Sequence, residues 1–508
     1  MQQIYRYWRQ SVMATAGLAL LVTAGCGKLR SGDRAGRDTG SSPRAEPLAV
    51  GKAAGERIRS GAQSANVVIC VLDAARADHV GSYGYPRDTT PNLDKLGEES
   101  VIFRNHFSTY PSTKPSTASL FTGLYPDTHR IMQGKALDKS GATLAQRLKE
   151  AGFHTALFSS NAVASPEVGI GADFEEVFAN SAGRGEAKGG PITPSAGDAW
   201  RTPEGLTEVF GRWLSKEGRS RFFAYCHFLP PHTPYDAPEE VQAWFAAQQP
   251  VAVRQGHFEF PETRPPYGRD RMLPPQEWVN RYDANLRWAD WGVGEVVRLL
   301  RERGLLDNTL LIVTSDHGEA FGEHGYVFHA HAVYDEFVHI PLVMRFPGQQ
   351  RVIGEVSALT QTVDLAPTVL DLWEVPYERS EIQGSSLLPL VTGEKRKVRD
   401  HVFATCGEPW PSYLVRDAAW SLLLYRGGKL RALYDLRNDP GQTRNVVAEH
   451  AETAATMTAA FRQFARTQGR PLTEFTSSRA VAPPATGTPE NRLPSSTRRE
   501  LKALGYLE

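Results

Sequence analysis

Residues 66–71 (NVVICV) form a short, unbroken apolar run, the pattern of a strand buried on both faces of a parallel sheet. Further along, ATLAQRLKEA (Ala142–Ala151) spaces its apolar residues helically and stops at Gly152, and HTALFSS then reads as the next strand. Trp288–Gly304 repeats the theme as a long helix ending in glycine, followed by DNTLLIVTSDHG as strand and loop. Strand, helix, strand with short links predicts an α/β domain over residues 65–395, with a mostly parallel central sheet flanked by helices. From about 396 the pattern changes to WSLLLY, KLRALYDL and a helix over Thr453–Thr467, which predicts a small α+β subdomain at 396–475.

Two stretches carry no periodicity. Residues 27–64, rich in Gly, Arg, Ser and Ala, read as a flexible tether, and 476–508 as a mostly loose arm. Ahead of the tether, Arg6 and Arg9 precede an apolar run from Val12 to Ala24 that ends in small residues. Charge, apolar core and small residues in that order predict a secretory signal over 1–26, too short to span a bilayer as a stable helix. Cys26 after Ala24-Gly25 resembles a bacterial lipoprotein lipobox, although Thr23 replaces the usual aliphatic residue. The expectation is an exported protein of the periplasm or cell surface, tethered to a membrane through lipidated Cys26. A plain cleaved signal and an uncleaved anchor are the alternatives.

Composition narrows the partners. Lys and Arg together number 57, as do Asp and Glu, so no global charge calls for nucleic acid or another polyanion. A hydrophobic content of 41% with 17 Tyr and 10 Trp excludes a disordered chain and suits a globular enzyme. Beyond Cys26 there remain Cys70, Cys226 and Cys406; the first two lie inside apolar strand-like runs and read as small hydrophobes, not as a disulfide framework.

The candidate chemistry is local. Asp73 follows the strand NVVICVL and Asp316 follows TLLIVTS, and in an open parallel sheet ligands bind beyond the carboxyl ends of the strands. His317 is adjacent, and Gly318 allows the loop to turn. Two acids and an imidazole make a plausible divalent-cation set, though singly each also reads as a loop cap or surface charge. In YPSTKPSTASLFTG (110–123), Pro115 predicts a helix start, with Thr113 just outside it as either a cap or a hydroxyl facing an anion.

These stretches lie within a longer resemblance. NVVICVLDAARADHVGSYGYPRDTTPNLDKL, the 110–123 stretch through GLYPDTH, and TSDHGEAFGEHG are similar to the sulfatase family of the alkaline phosphatase superfamily. FLPPHTPY, HAVYDEFVHIPLVMR, VDLAPTVLDL and LYDLRNDPGQTRN follow in family order, so the resemblance spans about 66–450. It implies Asp73, Asp316 and His317 as metal ligands, with Thr113 at the nucleophile's place and bound to the same metal. It implies that His232 and His329 contact the transferred group or protonate the leaving group. Asn161, Lys114 and His331 fall where substrate contacts are expected, and His329 stands where many sulfatases carry Lys. His324 is expected to hold a loop in shape.

Two departures matter most. Where sulfatases have Cys-x-Pro-Ser-Arg, with the Cys or Ser oxidised to formylglycine, this chain has Thr113-Lys114-Pro115-Ser116-Thr117. A secondary alcohol cannot become that aldehyde, and the Arg is missing. The second Asp often found after the first ligand is Ala74, which favours one Mn²⁺ or Zn²⁺ over an all-oxygen Ca²⁺ cage, with Ca²⁺ still possible. The resulting expectation is a metal-dependent hydrolase of phosphate or sulfate esters acting through Thr113, with phosphodiesters and phosphonates favoured. The substrate is a small-molecule, lipid-headgroup or glycan ester. The competing readings are a sulfuric ester hydrolase proper, a transferase passing the group to an acceptor alcohol, and a silent lipoprotein that binds anionic glycans.

Overall fold

The fold is known from a computed structural model, which describes residues 64–131, 142–161, 171–179, 202–217, 221–251, 274–348, 352–407, 412–425 and 428–468, with scattered positions between 55 and 62. The signal, Cys26 and nearly all of the tether, together with the arm at 476–508, lie outside the described residues. Among those described, no helix is long and apolar enough to cross a membrane.

The core is one eight-stranded sheet. In chain order its strands are β1 (Asn66–Leu72), β2 (Val101–Phe107), β3 (His154–Ser159), β4 (Glu176–Ala179) and β5 (Phe222–Phe228), then β6 (Thr309–Ser315). A short hairpin of β7 (Ala320–Phe321) and β8 (Val327–Phe328) precedes β9 (Leu342–Arg345) and β10 (Gly354–Gln361). The spatial order is β10-β2-β9-β6-β1-β5-β3-β4, and only β9 runs antiparallel to its neighbours. The expected parallel α/β architecture is therefore present.

The unbroken apolar run at 66–71 has its physical cause in two cores. Val67, Ile69 and Val71 face one cluster, while Val68, Cys70 and Leu72 face the other, so neither face of β1 meets water. The first cluster is closed by α2 (Thr113–Thr122) and α3 (Leu144–Glu150), which follow α1 (Pro91–Gly97) in the chain. The second cluster is closed by α4 (Pro203–Glu217) and α6 (Pro275–Glu302), which flank α5 (Glu239–Ala246). Cys70 and Cys226 stand abreast in the β1–β5 register, both free and buried.

Three boundaries differ from the sequence expectation. Helix α3 is shorter, because Thr143 caps it by accepting from the Gln146 amide. Helix α6 begins at Pro275, thirteen residues ahead of Trp288, since Trp278, Val279 and Tyr282 also pack on the sheet. Helix α2 opens at Thr113 itself with Ser112 as its N-cap residue, so Thr113 is its first residue and not a neighbour of it.

C-terminal to the large sheet, β11 (Val402–Cys406), β12 (Ser412–Arg416), β13 (Trp420–Tyr425) and β14 (Lys429–Asp435) form an antiparallel meander. Val415, Leu422 and Leu433 on one face pack on α7 (Ala451–Thr467). Leu414, Leu423 and Tyr434 on the other face pack on Val333, Tyr334 and Phe337, just beyond the histidine-bearing loop.

Candidate active site

Strand register brings the two acids together. β1 and β6 are parallel neighbours with Leu72 opposite Ser315, so the next residue of each, Asp73 and Asp316, emerges side by side at the carboxyl edge. Each carboxylate is held by one oxygen only. Asp316 Oδ1 accepts from the backbone amides of Ala74 (3.1 Å) and His317 (2.9 Å). Asp73 Oδ2 accepts from Asn161 Nδ2 at 2.5 Å and lies 3.1 Å from His227 Nε2. The remaining oxygens, Asp73 Oδ1 and Asp316 Oδ2, are buried and have no hydrogen-bond partner among the described residues.

His317 sharpens the point. Its Nδ1 donates to the Gly318 carbonyl at 2.9 Å, so in the neutral ring Nε2 presents a bare lone pair. That lone pair lies 3.5 Å from Asp73 Oδ1, 3.6 Å from Asp316 Oδ2 and 3.3 Å from Thr113 Oγ1. Lone pairs aimed at bare carboxylate oxygens repel unless a cation sits among them. Separations of this size are the edges of a four-ligand site with bonds of about 2.0–2.2 Å. The residues present thus fit a divalent cation. A fifth candidate donor, His227, is close by, since ligand atoms of Asp73, His227 and Asp316 all lie within 4.8 Å of one another.

The electrostatics follow from burial and crowding. Burial pushes the Asp73 carboxyl up, but His232, His227 and His317 outweigh it and hold the group below the usual carboxylate range. Burial, with the charge of Asp73 beside it, raises Asp316 to about 6. His317 is lowered, chiefly by burial. For His227 burial acts downward too, but the hydrogen bond and charge of Asp73, with the charge of Asp316, raise it overall.

Thr113 reaches this cluster because α2 is tied to the end of β6. The Ser116 and Ser108 hydroxyls both donate to the Asp316 carbonyl at 2.5 Å. As the first residue of the helix, Thr113 sits among the amides that lack intrahelical acceptors, at the positive end of the helix dipole. Lys114 is buried in the same turn, and Thr117 lies buried one turn on.

The loop after Asp73 is strained. Ala74, where the family often has its second Asp, adopts φ +64° although it is not glycine, a conformation that costs about 1–2 kcal/mol. It is held there by its amide bond to Asp316 and by Tyr282, whose hydroxyl donates to the Ala74 carbonyl and accepts from the Arg76 amide. Gly318 has a different reason: a Cβ there would come within 2.2 Å of the Glu336 carbonyl oxygen.

The other histidines form a wall. His232 hangs from the loop after β5, which folds over Asp73 through the bond from the His232 amide to the Asp73 carbonyl at 3.0 Å. Its Nδ1 donates to the Thr233 carbonyl, so Nε2 is the exchangeable atom. The His329 ring lies 4.7 Å from that of His232 and 4.6 Å from that of His317. Its neighbours Phe328 and Ala330 both have positive φ, and the Ala330 amide donates to the carbonyl of Pro111, two residues before Thr113. Burial, then the charge of His317, lowers His329 to about 3. Its Nδ1 lies 3.4 Å from Glu319, which in turn accepts from the Tyr235 hydroxyl at 2.6 Å.

The structure thus gathers Asp73, Thr113, Asp316, His317, His232 and His329 at one edge. Asn161 touches the Asp73 carboxylate, a different contact from the substrate contact expected of it. His331 adjoins His329, and its carbonyl accepts from Cys406 Sγ. His324 stacks on Tyr334 with ring centroids 3.7 Å apart. Sequence reasoning missed His227, Glu319, Tyr235 and Tyr282. Of these only His227 carried a signal: it is the one polar ring in the apolar run FFAYCHF, at the strand's carboxyl end.

With this geometry in place, similarity to known proteins has a meaning. The sulfatase family model matches residues 65–375, and the model described as N-sulphoglucosamine sulphohydrolase, C-terminal, matches 322–467. The chain is 27% identical over 407 residues to the multifunctional alkaline phosphatase superfamily protein PehA of Trinickia caryophylli, covering 65% of this chain and 77% of that protein. In structure it is similar to the phosphonate monoester hydrolase of Agrobacterium radiobacter, with a TM-score of 0.64, 21% identity and coverage of 80% of this chain and 95% of that one. It is also similar to a protein solved with its substrate D-glucosamine-2-N,6-O-disulfate, with a TM-score of 0.68, 19% identity and coverage of 80% and 98%.

Proposed function

The chain belongs to the sulfatase family, a family of ester hydrolases, and from that premise we propose that it cleaves phosphate or sulfate esters through Thr113, with phosphodiesters and phosphonates favoured. The observation that carries this reading is Thr113 Oγ1, 3.3 Å from His317 Nε2 at the start of α2, beside two carboxylate oxygens without partners. Asp73, Asp316, His317 and Thr113 would hold one divalent cation, and the imidazole favours Mn²⁺ or Zn²⁺ over Ca²⁺. Such a cation, when bound, supplies Lewis acidity that lowers the pKa of a neighbouring hydroxyl and draws charge from the ester.

Thr113 is well suited to attack. β-Branching restricts χ1, and the amides of the first turn can donate to the oxygens of the transferred group. Thr113, which such a cation would let release its hydroxyl proton to solvent, bonds to phosphorus as the ester oxygen leaves with the proton of His232 Nε2. Water then attacks phosphorus and gives its proton back to His232 Nε2, and Thr113 leaves as the alkoxide that began the cycle. Burial keeps His329 neutral, so its Nε2 can accept a hydrogen bond from that water but has no proton to give the leaving group.

The preference for phosphorus rests on the same residue. Formylglycine carries a second hydroxyl that lets a sulfated enzyme expel sulfate by breaking a C–O bond, and Thr113 has none. With Thr117 in place of Arg and a neutral His329 in place of Lys, a monoanionic diester also suits the site better than a dianionic monoester. A panel of aryl phosphate monoesters and diesters, phosphonates and sulfates tests this in Mn²⁺ and in Zn²⁺. The expected ranking puts diesters and phosphonates first, and sustained aryl sulfate turnover at equal kcat/KM would overturn it.

Export and tethering through Cys26 belong to the same proposal, supported by Arg6, Arg9 and the apolar run that follows. Cys26→Ser should release the protein from membranes and remove labelling by lipid precursors. Unchanged membrane association, with neither form labelled, would refute the anchor.

A further inference from the structure

We propose that His227 is a positioning residue for Asp73: its Nε2–H, set by the Tyr225 hydroxyl behind it, pins Asp73 Oδ2 and leaves Oδ1 to face Asp316, His317 and Thr113. This rests on the one-cation reading above and adds to it a residue from a strand that supplies none of the four ligands.

The argument begins with strand register. β5 lies beside β1 on the side away from β6, with His227 opposite Val71 and Phe228 opposite Leu72. Phe223 and Tyr225, at alternate positions before His227, face the same core as Val67, Ile69 and Val71. Period-2 alternation therefore puts His227 and Asp73 on one face, at the same edge. The result is a line of three buried groups: Tyr225 hydroxyl to His227 Nδ1 at 3.0 Å, and His227 Nε2 to Asp73 Oδ2 at 3.1 Å. Both side chains of the His227–Asp73 pair are fully inaccessible to solvent.

Two imidazoles compete for the nitrogen place around the cation, and hydrogen positions decide between them. A carboxylate only accepts, so a hydrogen bond from His227 to Asp73 requires the hydrogen on Nε2, which leaves no lone pair there. His317 is the reverse case, since its Nδ1 donates to a carbonyl and its Nε2 is bare. His227 Nε2 is also farther from the bare Asp316 oxygen, at 3.9 Å against 3.6 Å for His317. With Asn161 taking the other lone pair of Asp73 Oδ2, the carboxylate cannot rotate to turn that oxygen inward. Outer groups of this kind typically change metal affinity by 10–100-fold when removed.

The test uses the full-length protein stripped with chelator and titrated with Mn²⁺ alone. His227→Leu, which removes the donor at similar volume, should raise the Mn²⁺ Kd by about 10–100-fold. His227→Gln, whose amide N–H falls near the place of Nε2, should restore it to within about threefold of wild type. In the Co²⁺-loaded protein, His227→Gln should leave the visible band positions unchanged, because His227 is not a ligand. An unchanged Kd in His227→Leu, an equal loss in both variants, or shifted Co²⁺ bands would each overturn the inference. If His227→Leu fails to fold, Tyr225→Phe carries the test: a several-fold weaker Kd supports the inference and an unchanged one overturns it. Absence of Mn²⁺ binding to the wild type would instead overturn the one-cation reading, and this inference with it.

Discussion

The floor and the wall of the site are built by different means. The floor consists of Asp73, Asp316 and His317, placed by the register of β1 and β6 and fixed by bonds at the two strand ends themselves: the Ala74 and His317 amides to Asp316, the Gly318 carbonyl to His317. The wall consists of His232 and His329, held on loops by contacts that span long stretches of chain, such as Ala330 to Pro111. Strand ends cannot move without unpairing the sheet, whereas loops can be rebuilt around them. Under the proposed function, the floor holds the cation, and the wall moves protons and contacts the part of the substrate that varies.

The sharpest test of this division is at the proposed nucleophile. Thr113→Ala should lower kcat/KM for every ester substrate by at least about 10³-fold while leaving the fold intact, as read by circular dichroism. Residual turnover within tenfold of wild type would show that Thr113 is not the nucleophile.

Next in size is the floor's charge. Asp316→Asn keeps an oxygen for the Ala74 and His317 amides and removes one of two crowded carboxylates. In chelator at pH 7.5 it should therefore stabilise the protein, read as a higher midpoint in urea titration, while metal binding is lost. The sign follows from the raised pKa: the folded state favours protonated Asp316, so its ionisation above pH 6 opposes folding unless a cation compensates. For the same reason the wild-type affinity for Mn²⁺ should fall by about tenfold per pH unit below about 6, where protons compete for the carboxylate. Affinity independent of pH between 5 and 7.5, measured by equilibrium dialysis, would contradict this.

The smallest effect is expected at the wall. His329→Lys returns a cation to the place where many sulfatases carry one. It should shift the ratio of aryl sulfate to phosphodiester kcat/KM toward sulfate by about tenfold, and leave the Mn²⁺ Kd within about threefold. A change in metal affinity larger than the change in selectivity would mean that floor and wall are one unit.

Local pattern was enough for several elements and residues. The apolar runs of β1 and β6 locate Asp73 and Asp316 at equivalent strand ends, because a strand buried on both faces must be apolar and ligands gather beyond its carboxyl end. Helices α3 and α7 were legible from spacing, and the start of α2 near Thr113 from Pro115 and the family pattern. The start of α6 was not read, although Pro275 stands at its first position, since Trp278 and Val279 are drawn into the helix by the core they pack in.

What the sequence by itself determined was the sheet, its two strand-end acids and the family to which they belong, all of which follow from residues within a few positions of each other. Only the tertiary structure decided that Thr113 opens its helix and that Ala74 is held left-handed by Tyr282. It alone set one Asp73 oxygen against His227 and Asn161 while leaving the other bare. These contacts join residues 88 to 208 positions apart, and the directions of hydrogen bonds across such distances are fixed by strand order and helix docking, not by any local pattern.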